Sequence, residues 1–299
     1  MSGAIVPLET RTFAREGRPS TQINGYFYGD PKGEPLVYCH GWPGSGKQAA
    51  LADAAAKKFG YHILSLDRPG IGLSTFEKNR TITDWPPLIS DVLDSLGWNE
   101  FHLLAVSGGC PYALATAAAH PERIRSVTIC CGAALPEFVL DPETAYPIYK
   151  GLELIYRKTP WILRFGLHLA RFYFAIIPPN FLFLPLYPFI AKSDRHSLKS
   201  KSNRIPMAQS VKMAFRQHPR GVLHDATRYV EPWGFSLTSI ETKVCFWHGT
   251  DDHNIPIRAA QKTASQIPES CFKELSGEGH YSLPLNHLEQ IVEGIRESS

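Results

Sequence analysis

Short apolar runs alternate with longer amphipathic stretches along most of the chain. The apolar runs have the length of buried strands and lie at residues 35–39, 61–66, 101–106, 126–131, 243–247 and 271–275. Segments with helical periodicity lie at residues 48–59, 83–96, 112–120, 257–267 and 285–296. Residues 8–30 come before this series and have the pattern of a hairpin. Strands that alternate with helices at this spacing predict an α/β fold, with a mostly parallel sheet and helices on both faces.

The alternation stops in the middle of the chain, between residues 136 and 236. This segment is rich in proline and aromatic residues and shows helical patterns at residues 146–158, 160–176 and 205–216. We therefore predict two pieces. Residues 1–135 and 237–299 form the α/β core, and residues 136–236 form an inserted helical cap.

The predicted cap helix at residues 160–176 is strongly amphipathic. Arg164, His168 and Arg171 share one helix face and leave the other face apolar. The two arginines and the prolines that follow exclude a transmembrane helix. We expect the apolar face to pack against the core; the alternatives are the wall of a substrate tunnel or a lid that touches a membrane.

Composition and charge describe a globular protein with an unusual middle third. The chain has 299 residues, 43% of them hydrophobic, a mean hydropathy of -0.17 and a net charge of +3. Residues 136–236 hold 14 Lys and Arg against 7 Asp and Glu, and the remainder holds 17 against 21. No apolar signal core is present near residue 1, so we expect a cytosolic protein. The six cysteines have no metal-type spacing, and we expect buried thiols rather than disulfides.

A serine stands at the junction between one predicted strand and one predicted helix. Ser107 follows the apolar run 101–106, and two glycines follow it directly. The glycines allow a sharp turn, because no Cβ is in the way. A serine in such a turn exposes its hydroxyl, while backbone N–H groups and the positive end of the helix face any negative charge that develops beside it.

Two further strand ends carry residue types that can activate a serine. Asp251 and Asp252 follow the run 243–247, and His280 follows the run 271–275. The carboxyl ends of parallel strands meet at one edge of a sheet, so these side chains can lie together. The order Ser, Asp, His along the chain is that of an α/β-hydrolase triad.

On these residues the chain resembles the α/β-hydrolase superfamily over its whole length. It carries the segments VSGGxPYALA, DRPGxGxS and PWGF that capped members carry. The resemblance implies that Ser107 is the nucleophile and that His280, in GEGH, is the general base. The family acid stands in G-x-x-D-x-x-x-P, which Asp252 satisfies, so Asp252 is preferred and Asp251 stays the alternative.

The resemblance also implies an oxyanion hole and shows one departure from the family pattern. The expected donors are the backbone N–H groups of Trp42, in the turn HGWP, and of Gly108. Ala105 stands where the usual G-x-S-x-G has its first glycine. A methyl group is the smallest possible intrusion, and we expect the turn to survive it.

A different class of protein is suggested by residues 41–47, GWPGSGK, which fit the phosphate-binding pattern G-x-x-x-x-G-K. Gln48 follows, where magnesium binding in that class requires Ser or Thr, and an NTPase would not explain Ser107 or His280. The histidines form no H-x-x-x-H cluster, so neither a metal nor a cofactor is expected. The basic residues of the cap lie in a serine-rich segment typical of a solvated loop, so no nucleic acid partner is expected.

We expect a serine hydrolase that cleaves an ester-like acyl bond of a hydrophobic small molecule through an acyl-serine intermediate. C–C bond or thioester hydrolysis by the same triad is the alternative, as is a ligand-binding protein with little turnover. The turn HGWPG also resembles that of epoxide hydrolases, but those use a carboxylate nucleophile. The basic surplus of the cap indicates an anionic group on the substrate or peripheral membrane contact. The oligomeric state is not predicted.

Overall fold

A single mixed sheet of eight strands forms the centre of the protein. A computed structural model describes residues 5–15, 17–133 and 154–297. The strand order is β1-β2-β4-β3-β5-β6-β7-β8; β1–β2 and β2–β4 pair antiparallel and the other neighbours pair parallel. The strands are β1 Glu9–Arg15, β2 Arg18–Gly29, β3 Glu34–Cys39, β4 Tyr61–Leu66, β5 Phe101–Val106, β6 Ile124–Cys130, β7 Val244–Gly249 and β8 Ser270–Leu275.

Helices cover both faces of this sheet. In chain order the helices are α1 Asp53–Phe59, α2 Trp85–Ser95, α3 Cys110–Ala119, α4 Pro160–Ile176, α5 Lys192–Ser197, α6 Lys201–Ala214, α7 Arg220–Arg228, α8 Ile257–Ala264 and α9 Ser282–Glu297. Helices α4 to α7 belong to the inserted segment, and the other five flank the sheet. The apolar sides of α2, α3 and α8 pack in one buried cluster, and those of α1 and α9 pack in another. The predicted α/β fold is confirmed.

Most predicted elements are present with ends that differ by one to three residues. The helical stretch 48–59 divides into a 3-10 helix, Gly46–Ala52, and α1. Gly46 fits only because it has no side chain, since an added Cβ would lie 2.6 Å from the carbonyl oxygen of Ser65 in β4. The 3-10 helix therefore passes close to β4 at Gly46.

The inserted segment is helical where the structure describes it, at residues 154–236. Helix α4 has the predicted bounds, and α6 contains most of the predicted stretch 205–216. The cap boundary at residue 136 and the first part of the helical pattern 146–158 lie outside the described residues. A third buried cluster joins the segment to the core through residues such as Leu198, Val211 and Ile71.

The apolar face of α4 does not pack against the core, contrary to our expectation. Trp161, Phe165 and Phe172 are 61% to 66% exposed. The helix instead contacts the protein through a narrow stripe that includes Leu167, Ala170 and Phe174. Amphipathic spacing identifies an apolar face, but it does not determine what covers it. Among the described residues, no helix is both long enough and apolar enough to span a bilayer.

The expectation that all cysteines are free thiols is wrong for one pair. Cys245 and Cys271 form a disulfide between β7 and β8. The two residues are direct partners in the parallel register, which places their Cα atoms 4.6 Å apart. The cysteines at positions 39, 110, 130 and 131 are free and buried, as predicted.

Candidate active site

Ser107 stands on a sharp turn at the carboxyl end of β5. Its backbone has a φ of 52°, a left-handed conformation that is uncommon for a residue other than glycine. Helix α3 begins three residues later, at Cys110. Gly109 fits only because it has no side chain, since an added Cβ would overlap the carbonyl oxygen of Cys39 at the end of β3. Ala105 is buried in β5 and the turn forms beside it, so the sharp turn tolerates the extra methyl group.

His280 lies between the serine and an aspartate. Its Nε2 is 2.9 Å from Oγ of Ser107, and its Nδ1 is 2.8 Å from Oδ2 of Asp252. The other oxygen of Asp252 accepts hydrogen bonds from the backbone N–H groups of Asn254 and Ile255. Asp251 is exposed. The structure therefore brings Ser107, His280 and Asp252 together and leaves Asp251 outside the group.

Two opposing effects set the pKa values of Asp252 and His280, namely burial and the charge of the neighbouring side chain. Burial alone would raise the pKa of Asp252, but His280 and His248 hold it well below its usual range. Burial alone would lower the pKa of His280, but the adjacent Asp252 carboxylate raises it above its usual value. The aspartate thus stays ionised and favours a proton on Nδ1 of His280. Nε2 then faces the serine and can take up a proton.

The loop that carries Trp42 lies against the serine turn. A Cβ added at Gly108 would lie 3.0 Å from the Cβ of Trp42, and one added at Gly41 would lie 3.4 Å from the Cβ of Ser107. The indole nitrogen of Trp42 donates a hydrogen bond to the carbonyl oxygen of Val222 in α7, at 2.8 Å. The two residues predicted as oxyanion donors are therefore neighbours beside Ser107.

A cavity of about 230 Å³ lies above Ser107 and His280. Its walls come from the core and from the inserted segment, and they are largely apolar. The inserted segment supplies Tyr173, Phe174, Leu182, Phe183, Leu186 and Met207. The hydroxyl of Ser107 therefore lies at the base of a largely apolar cavity.

The residues 34–286 match the model of the alpha/beta hydrolase fold family. The chain belongs to this family. Both the fold and the family predicted from the sequence are confirmed.

Proteins similar to this alpha/beta hydrolase differ in the activities that their names give. An uncharacterized hydrolase, YcgS of Bacillus subtilis (strain 168), is 26% identical over 221 residues, which cover 72% of each chain. A bromoperoxidase from Bacillus anthracis has a similar structure, with a TM-score of 0.72, 20% identity and coverage of 97% of this chain and 99% of the other. A thermophilic esterase from Thermogutta terrifontis has a TM-score of 0.67, 18% identity and coverage of 97% of both chains. The family match supports hydrolase activity. The structural neighbours show the fold, and the fold alone does not select the bond.

Two buried aspartates of the inserted segment extend this hydrolase site, and neither lies in a sequence motif. Asp225, in α7, accepts a hydrogen bond from Arg68 at 2.7 Å and contacts Arg80. Arg68 also donates to the carbonyl oxygen of His40 at 2.6 Å, beside the Trp42 loop. Asp225 therefore supports that loop from the inserted segment.

The second aspartate, Asp194 in α5, supports the histidine loop. One of its oxygens accepts the backbone N–H groups of Tyr281 and Ser282, at 2.8 and 2.7 Å. These residues follow His280 directly and begin α9. A carboxylate is favourable at this helix terminus, where N–H groups have no partner within the helix. The one sequence signal that could have identified these two aspartates is an acidic residue among the basic residues of the segment.

The phosphate-binding alternative does not fit the turn at residues 41–47. The backbone N–H of Gly46 donates to Asp67 at 2.8 Å, and that of Ser45 donates to Ser210 at 2.9 Å. The side chain of Gln48 accepts the N–H of Gly41 at 2.6 Å. Protein groups thus occupy the donors that a phosphate would need.

Proposed function

We propose that the protein is a serine hydrolase that cleaves an ester-like acyl bond of a hydrophobic small molecule. The hydrogen-bonded series from Ser107 through His280 to Asp252, at the base of an apolar cavity, carries this proposal. A serine hydroxyl is a weak nucleophile until a base takes its proton, and His280 is within hydrogen-bond reach.

The reaction divides into two halves. As Oγ of Ser107 attacks the acyl carbon, Nε2 of His280 takes the hydroxyl proton. The negative charge on the acyl oxygen is stabilised by the backbone N–H groups of Trp42 and Gly108. The acyl–oxygen bond then breaks, and His280 returns its proton to the departing alkoxide. Water, activated by the same histidine, releases the acid and restores Ser107.

The cavity supports a hydrophobic acyl or alcohol group in the substrate. Its walls present aromatic and aliphatic side chains, and its polar groups gather near Ser107, His280 and Gln48. The same group of catalytic residues can cleave a thioester or a C–C bond, or the cavity can hold a ligand with little turnover. Product analysis distinguishes these functions from ester hydrolysis.

The first experiment is labelling with a fluorophosphonate probe, which reacts with an activated serine. The parent protein should be labelled, and the Ser107→Ala variant should not. Ser210→Ala is the matched control, because this serine also lines the cavity but does not contact His280. Labelling of Ser107→Ala at the parent level would refute the proposed nucleophile.

A second experiment tests the substrate class. Esters of one alcohol with acyl chains of increasing length should be turned over repeatedly, with kcat/KM rising with chain length while the chain fits the cavity. A clear preference for acetate would contradict the hydrophobic acyl group. Stoichiometric binding without repeated turnover would favour a ligand-binding protein.

A further inference from the structure

The outward face of α4 is an almost continuous apolar surface. Six large side chains lie on it and are 41% to 66% exposed. They are Trp161, Ile162, Phe165, Leu169, Phe172 and Ile176. Their spacing follows the helical repeat, so they form one stripe, opposite the stripe that packs on the protein. A helix at the surface of a globular protein usually turns its apolar face toward the core, whereas α4 turns this face outward.

The apolar surface continues in the chain that follows α4. Four more large side chains are 38% to 70% exposed, namely Phe181, Leu184, Leu186 and Phe189. We call these ten residues the apolar platform. Single exposed apolar residues are ordinary, but ten large ones within residues 161–189 mark a surface that contacts a partner or a membrane.

A basic cleft borders the apolar platform between α4 and α6. The cleft has a volume of about 590 Å³. Its ionisable side chains are all of basic types, namely Lys47, His168, Arg171, Lys212 and Arg216. Phe172 lines the cleft and also belongs to the platform, so the two features are adjacent.

The segment that carries the platform and the cleft, residues 154–224, has a large excess of positive charge. Residues 154–224 contain twelve Lys and Arg, at positions 157, 158, 164, 171, 192, 195, 199, 201, 204, 212, 216 and 220. They contain one acidic residue, Asp194, which is fully buried. The surface that carries the platform is therefore strongly positive.

We propose that the apolar platform docks into the surface of an anionic phospholipid bilayer and that the basic cleft holds lipid phosphate groups. A bilayer of this kind offers acyl chains and negative charge together, which are the two complements that this surface requires. A second copy of the chain would complement the apolar residues, but it would bring two basic surfaces face to face. The charge therefore selects the bilayer as the partner.

Docking places the catalytic cavity next to the lipid. Leu186 belongs to the platform and also lines the cavity above Ser107. Tyr173 and Phe174 line the same cavity from α4. An acyl substrate dissolved in the bilayer would thus enter beside the platform, a consequence that rests on the function proposed above. Docking itself does not require turnover.

The test is co-sedimentation of the full chain with two kinds of vesicle, phosphatidylcholine alone and phosphatidylcholine mixed with phosphatidylglycerol. Binding should be stronger to the mixed vesicles and should weaken as salt is raised, because salt screens the charges. The platform variant is Phe165→Ser with Phe172→Ser, and the cleft variant is Lys212→Gln with Arg216→Gln. All four side chains are exposed or partly exposed, so both variants should fold.

Each variant should lose a different part of the binding. Each Phe→Ser change should lower partition into both vesicles, on the order of tenfold per residue. Each neutralised cation should lower partition into the mixed vesicles about fivefold, or about 25-fold for the pair, with little effect on phosphatidylcholine alone. The matched controls lie on the core. They are Leu8→Ser, at a side chain that is 47% exposed, and Lys32→Gln with Arg258→Gln. They should bind like the parent.

Three results would overturn the proposal. The first is a parent protein that does not sediment with mixed vesicles. The second is a concentration-dependent dimer that the platform variant abolishes, which would assign the platform to a second copy. The third is binding of inorganic phosphate in the cleft without vesicle binding, which would indicate a soluble anion. Turnover of a water-soluble short ester, measured in parallel, tests the hydrolase proposal separately.

Discussion

Replacement of Asp225 tests whether the inserted segment holds in place the loop of Trp42, which we propose supplies an oxyanion donor. Asp225 is fully buried and accepts hydrogen bonds from Tyr112, at 2.9 Å, and from two buried arginines, Arg68 and Arg80. The arginines hold the pKa of Asp225 well below its usual range, against the effect of burial, so the carboxylate is ionised. Asp225→Asn would leave two buried guanidinium groups without their counter-charge.

The size of the effect follows from that loss of charge. Removal of one partner from a buried ion pair costs about 3 to 5 kcal/mol, and two cations share this partner, so we expect about 4 kcal/mol for Asp225→Asn. The unfolding entropy is about 2.1 cal/mol/K per residue. Over the 299 residues of the chain this gives about 0.6 kcal/mol/K. The melting temperature should therefore fall by about 6 °C.

We expect kcat to fall as well in Asp225→Asn, because Asp225 pairs with Arg68. Arg68 in turn donates hydrogen bonds to the carbonyl oxygens of His40 and Gly41, in the loop that carries Trp42. When Arg68 loses its counter-charge, the loop that presents the N–H of Trp42 should shift. Loss of one oxyanion donor costs about 10² to 10³ in kcat. We expect a decrease in kcat toward this range, with a smaller change in KM.

The assay is calorimetry or thermal unfolding together with steady-state kinetics on a soluble ester. Asp251→Asn is the matched control, because that aspartate is exposed and outside the site, and it should change stability by less than about 0.5 kcal/mol. Tyr112→Phe removes one hydrogen bond to the carboxylate and should cost about 1.5 kcal/mol. It therefore gives a readout even where Asp225→Asn does not fold. Unchanged melting temperatures and kcat in both Asp225→Asn and Tyr112→Phe would refute this role.

Three further predictions follow from the site and the sheet. Asp252→Asn should lower kcat about 10⁴-fold. Activity requires the neutral form of His280, so it should rise as the pH passes through the pKa of this histidine. The carboxylate of Asp252 raises that pKa. The pH at which kcat/KM reaches half of its maximum should therefore lie above about 6.5 in the parent and should be lower in Asp252→Asn. Equal midpoints in the two proteins would contradict an effect of Asp252 on the pKa of His280. Gly109→Ala should disrupt the serine turn, with a loss of at least about 1 to 3 kcal/mol of stability and a loss of probe labelling. Gly166→Ala in α4 is the control: its added methyl group meets no atom within 4 Å, so it should keep probe labelling and gain up to about 1 kcal/mol of stability from the higher helix propensity of alanine. Thiol titration of the unfolded, unreduced chain should count 4 free thiols, against 6 after reduction; a count of six without reduction would exclude the disulfide.

Local pattern was sufficient for most of the secondary structure of the core and for the serine turn, but it did not predict α5 or α7. The strand Phe101–Val106 has the bounds that its apolar run predicts, as does the strand Tyr61–Leu66. Buried strands of a parallel sheet are apolar throughout, so each forms a distinct run in the sequence. The rule that strand ends of a parallel sheet meet at one edge placed Ser107, His280 and one of two aspartates together. The choice of Asp252 over Asp251 came from the resemblance to the family motif.

Contacts between distant segments could not be predicted in the same way. Asp225 meets Arg68 across 157 residues, and no local motif identifies the pair. The Cys245–Cys271 disulfide depends on the register of two neighbouring strands, which apolar runs do not specify. The exposure of Phe165 depends on which stripe of α4 packs against the protein, and the sequence shows only that the helix has two unlike faces.

The inserted segment has a larger part in this hydrolase than that of a cover over a cavity. Asp225 supports the loop of Trp42, and Asp194 supports the loop of His280. The same segment carries the apolar platform on its outer surface. The two buried carboxylates therefore connect the inserted segment to the loops that lie on both sides of Ser107.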